Sequence, residues 1–61
     1  MIEIILQNGE TLIVENNLDF MATILADAKK QKIMLNVFDT FSKRRYLFFP
    51  EAVVYIKEKI D

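Results

Sequence analysis

The chain has 61 residues, is 52% hydrophobic, carries a net charge of −1 and contains neither cysteine nor histidine. This length allows one domain at most, residues 1–61. So short a chain buries only about 60% of the surface its unfolded form exposes, so its core needs tight packing or a partner. The missing residue types exclude disulfides, thiolate chemistry, Cys/His zinc sites and every His-dependent acid–base or nucleophile pair.

The opening run Ile2-Glu3-Ile4-Ile5-Leu6-Gln7 lacks a basic leader and is cut off by Asn8-Gly9, too early for a signal peptide. No apolar stretch approaches the roughly 20 residues that span a bilayer. The expectation is a cytoplasmic chain without membrane contact.

The first two strands are predicted from β-branched runs on either side of Asn8-Gly9. Asn-Gly favours a two-residue type I′ turn, with both central residues at positive φ. That loop would set Gln7 opposite Glu10, Ile5 opposite Leu12, Ile4 opposite Ile13 and Ile2 opposite Glu15. Ile2, Ile4, Leu6 and Ile13 would share one face, with Ile5, Leu12 and Val14 on the other.

Asn16-Asn17 ends the hairpin and offers an N-cap, with Asn16 and Asp19 spaced as in a capping box. From Leu18 to about Lys30, Phe20, Met21, Ile24, Leu25 and Ala28 recur at helical spacing. Asp19 at the start and Lys29-Lys30 at the end complement the helix dipole.

A second hairpin is expected from 32–38 and 43–49, joined by Asp39-Thr40-Phe41-Ser42, in which Asp39 is placed to make an Asx bond. This register would pair Phe38 with Lys43, Asn36 with Arg45, Leu35 with Tyr46 and Ile33 with Phe48. Ile33, Leu35, Val37, Tyr46 and Phe48 then share the face that seats the helix. Lys32, Met34, Asn36, Phe38, Lys43, Arg45, Leu47 and Phe49 share the other.

Pro50 can start a helical turn, and Val53, Ile56 and Ile60 fall at helical spacing, but the run Val53-Val54-Tyr55-Ile56 favours a strand. The predicted fold class is α+β, in the order ββαβββ: a mainly antiparallel sheet covered by one helix.

With its Asn8-Gly9-Glu10 hairpin, a central helix containing Phe20 and Ala28, and the closing run Phe49-Pro50-Glu51-Ala52-Val53-Val54-Tyr55-Ile56, the chain resembles small uncharacterised proteins of Gram-positive bacteria and their phages. These are turn and packing residues, so the resemblance implies a setting and no activity. That setting is a compact accessory protein that binds a host protein. A likeness of Gly9–Val14 to the opening of CsrA-type RNA-binding regulators goes no further, because their all-β core before the helix is missing here.

Charge divides along the chain. Residues 1–28 hold five acids and no base, a sum of −5, while residues 29–61 hold eight bases and four acids, a sum of +4. Lys32, Lys43 and Arg45 with Phe38 are candidate nucleic-acid contacts, because basic side chains interleaved with rings hold phosphates and bases of single strands. The slightly acidic whole argues against that reading.

The favoured reading is protein–protein binding. One helix covers only one sheet face, which would leave Met34, Phe38, Leu47 and Phe49, with Ile5, Leu12 and Val14, near solvent in a monomer, and exposed apolar patches of that extent mark interfaces. The candidate interface is Met34, Phe38, Leu47 and Phe49 with Lys43 and Arg45, expected to pair two copies in a homodimer or to hold an unidentified protein partner. A sheet curled into a small barrel that buries both faces is the competing expectation.

Catalysis has little support. Ser42 is the sole serine and reads as a turn residue. Gly9 is the sole glycine, so no phosphate-cradling loop exists. No acids cluster at ligand spacing, and no cofactor or metal is expected.

Overall fold

A computed structural model describes residues 1–60. The elements are β1 (Ile2–Leu6), β2 (Thr11–Val14), α1 (Leu18–Gln31), β3 (Leu35–Asp39), β4 (Arg44–Phe48), a 3-10 turn at Pro50–Ala52 and β5 (Val53–Glu58). The order is ββαβββ and every strand pair is antiparallel, so the α+β class holds. The strands form two sheets, β2-β1-β5 and β3-β4.

The first hairpin departs from the expected register by one residue. Ile2 faces Val14, Ile4 faces Leu12 and Ile5 faces Thr11. The loop has three residues instead of two. Gly9 N–H donates to the Leu6 carbonyl at 3.0 Å, Leu6 N–H donates to the Glu10 carbonyl at 2.9 Å, and only Gly9 (φ 90°) lies at positive φ. This is a type I turn closed by a left-handed glycine, the usual three-residue hairpin. Asn8 uses its side chain instead of positive φ: its Oδ1 accepts the Glu10 N–H at 3.0 Å.

A one-residue slip exchanges the two faces of a strand. Leu12, only 1% exposed, and Val14 therefore join Ile2, Ile4 and Leu6 in the core, and Ile13 turns outward and is half-buried. The expected exposure of Leu12 and Val14 is overturned, and with it part of the apolar surplus counted from the sequence.

Asn17, and not Asn16, caps the helix. Its Oδ1 accepts the Phe20 N–H at 2.6 Å, with Asn17 itself extended at φ −90° and ψ 158°. Met21 and Ala28 are buried in the core, Leu18, Ile24 and Leu25 pack half-buried beside it, and Phe20 faces solvent. The C-terminus closes as a Schellman motif, in which Lys32 N–H donates to the Lys29 carbonyl at 3.3 Å and Ile33 N–H to the Ala28 carbonyl at 3.1 Å. Lys32 takes the left-handed position (φ 58°) where glycine is usual. The strand expected to begin at Lys32 therefore begins at Leu35, and Ile33 is exposed instead of lying on the helix-facing side.

The second hairpin is shifted by two residues from expectation, with Leu35 facing Phe48, Asn36 facing Leu47, Val37 facing Tyr46 and Phe38 facing Arg45. Its loop is Thr40–Lys43, with Lys43 left-handed (φ 63°) and its N–H on the Asp39 carbonyl at 2.9 Å. An even shift preserves the faces. Leu35, Val37 and Phe48 are buried, and Asn36, Phe38, Arg45 and Leu47 point out.

The two sheets meet at β2, where Thr40 N–H donates to the Ile13 carbonyl at 2.7 Å and Ile13 N–H donates to Asp39 Oδ1 at 2.9 Å. The inner faces of both sheets and α1 close on a single core. Strand β5 completes the first sheet against β1, with a bulge near Val54 that lets Leu6 meet Val53 while Ile5 meets Tyr55. No helix among the described residues is long and apolar enough to cross a membrane.

Candidate functional site: the outer face of the second hairpin

Alternation along β3 and β4 puts Asn36 and Phe38 on the outer face beside Leu47 and Arg45, and their directly opposed pairs are Asn36–Leu47 and Phe38–Arg45. The same register extended past Leu35–Phe48 brings Met34 and Phe49 next in line. Met34, Phe38, Leu47 and Phe49 are 45–64% exposed, which is high for four large apolar side chains on one hairpin face. Four of the six residues expected to form an interface are thus an apolar row, and Arg45 lies within it.

Lys43 is not in the row. It occupies the left-handed position of the loop and borders a shallow cavity with Asn36, Phe38 and Glu15. Lys32 stands at the C-terminal end of α1, outside the β3–β4 ladder. The proposed phosphate-contact set Lys32, Lys43, Arg45 and Phe38 is therefore split among a helix end, a loop and a strand pair. Each left-handed lysine costs its backbone roughly 1 kcal/mol relative to glycine.

The loop that joins these strands is fixed by Asp39, a residue only 4% exposed. Oδ1 accepts N–H groups of Ile13 (2.9 Å) and Phe41 (3.3 Å), and Oδ2 accepts the Ser42 N–H (3.2 Å) and Ser42 hydroxyl (2.6 Å). Burial alone would raise the Asp39 pKa. The Ser42 hydroxyl and the backbone N–H groups of Ile13, Ser42 and Phe41 together outweigh it and hold the carboxyl below its ordinary range. Ser42 spends its hydroxyl on this carboxylate, as a turn residue does.

Two features escaped the sequence reading. Phe41, 86% exposed in the loop, lines a concavity with Ile13 and Thr40. A second, mainly apolar groove runs between α1 and β5. Ala22 and Ala26, one helical turn apart, were its signal in the sequence, because two small residues in line leave a low strip on a helix. Among the described residues, no three acidic side chains converge as a metal site. No protein-family model, curated protein or solved structure matches the chain.

Proposed function

We propose that the protein is a small cytoplasmic binding module that pairs with a second copy of itself, and engages a host protein, through the outer face of β3–β4. It works by surface occupancy, without chemistry at the site. The observation that carries this reading is the exposed row Met34, Phe38, Leu47 and Phe49 on a hairpin whose inner face is already committed to the core. Apolar contact from the row supplies affinity, and Arg45 within it with Lys43 beside it sets orientation. A phage or mobile-element accessory role agrees with such a mode of action.

Sedimentation velocity from micromolar to millimolar protein tests the pairing. The expected result is a concentration-dependent dimer that Leu47→Glu converts to monomer without loss of fold. A monomer at every concentration rejects it.

A nucleic-acid reading draws on the direct Phe38–Arg45 opposition, which sets a cation beside a ring on one surface. Its mark is oligonucleotide affinity that falls steeply with added salt. Absence of binding at low salt removes it.

A further inference from the structure

Strand β5 ends the three-stranded sheet, and among the described residues no strand pairs with its outer edge. The polar groups on that edge follow from the ladder. Lys59 N–H donates to the Met1 carbonyl at 3.0 Å, and successive residues of an antiparallel strand turn their N–H and C=O to opposite sides. Lys57 and Tyr55 therefore point theirs at β1, where they face Glu3 and Ile5, and Ile56 and Glu58 point theirs outward.

Helix α1 packs against Pro50–Ala52 and β5 and walls this edge on one side. The groove between them has a volume of about 330 Å³. Val53 and Ile56, on the inner side of the sheet, line it together with Tyr55 from the outer side, so it lies along the open edge instead of over either face. Ala22 and Ala26 keep the helix wall low, and Lys29 is its single charge.

We propose that this groove is a binding site for an extended peptide segment of another protein, added to β5 as a further strand. The peptide's backbone pairs with the outward groups of Ile56 and Glu58. Its alternate apolar side chains fill the space between α1 and β5, and a peptide carboxylate meets Lys29. Strand addition of this kind draws affinity from main-chain bonds and specificity from alternate side-chain pockets. A second copy fits the groove poorly. Edge-paired strands lie about 4.8 Å apart, whereas each copy brings its own α1 over the same edge and packed helices need axes roughly 8–10 Å apart. A lone strand brings no such wall.

The test uses a labelled, capped seven-residue peptide of alternating valine and threonine with one terminal glutamate, titrated into the full chain. Fluorescence anisotropy gives the affinity and amide chemical shifts give the site. Shifts are expected at Ile56, Glu58, Ala26 and Lys29. Affinity should fall about tenfold in Lys29→Glu or with lysine in place of the peptide's glutamate, and vanish when alternate peptide nitrogens are methylated. Ala26→Leu, which fills the groove from an exposed helical position with a good helix former, should abolish binding at unchanged thermal stability. Leu47→Glu should leave binding intact, which separates this site from the β3–β4 face. The proposal is overturned by no binding at millimolar peptide, by equal binding of the methylated peptide or to Ala26→Leu, or by shifts confined to β3–β4. Shifts at the β5 amides on raising protein concentration alone would assign the edge to a second copy and overturn it as well.

Discussion

Asp39→Ala is the perturbation whose effect can be worked most fully from the structure. The carboxylate receives four hydrogen bonds, at 2.6, 2.9, 3.2 and 3.3 Å. A buried bond contributes about 0.5–1.5 kcal/mol net, toward the upper end where the acceptor is charged, and the two longest contribute least. The sum is about 3 kcal/mol. A domain of this length has roughly 3–9 kcal/mol in total, so the substitution removes a large share of it. At about 4–8 °C per kcal/mol, the thermal midpoint should drop by roughly 12–24 °C. Ser42→Ala deletes only the 2.6 Å bond and should cost about 1 kcal/mol. Thermal and urea unfolding followed by circular dichroism measure both.

The pH dependence has a definite sign. The folded carboxyl is held below its ordinary value, so its stabilisation is complete above the unfolded pKa, near pH 4, and fades as pH falls through the lower folded value. The stability gap between wild type and Asp39→Asn should therefore narrow below about pH 4. A loss of less than about 1 kcal/mol for Asp39→Ala, or a gap that does not narrow in acid, refutes the reasoning.

Four further substitutions probe the backbone and core. Leu12→Ala should cost about 2–5 kcal/mol and Ile13→Thr less than about 1 kcal/mol in urea unfolding, and the reverse ranking would restore the two-residue turn. Gly9→Ala meets no atom within 4 Å, so its cost is conformational only, about 1 kcal/mol on the same assay. Lys32→Gly relieves a left-handed lysine and should raise the thermal midpoint by a few degrees, for a gain of about 0.5–1 kcal/mol.

Element type and order were legible because each rests on a local pattern. The helix followed from spacing, with Asp19 and Lys29-Lys30 at the favourable ends. The strands followed from β-branched runs, and Pro50 marked the turn before β5. Register was not local. Asn8-Gly9 suits a two-residue turn with both residues at positive φ and equally a three-residue turn with Gly9 alone left-handed. The choice is made by burial of Leu12 and Val14, a tertiary effect that the turn residues do not encode. In the second hairpin the two-residue shift left parity intact. The apolar face Met34, Phe38, Leu47 and Phe49 could thus be read before the pairs were known. Lys32 was misplaced because a left-handed lysine ending a helix carries no sequence signature, unlike the glycine that usually stands there.

The proposed function depends on the outer face of β3–β4 joining two copies of the chain. Amide spectra of the full chain, recorded from micromolar to millimolar protein, address it residue by residue. Concentration-dependent shifts are expected at 34–38 and 45–49, and they should be absent in Leu47→Glu. Spectra that do not change with concentration, or changes located elsewhere on the chain, would contradict it.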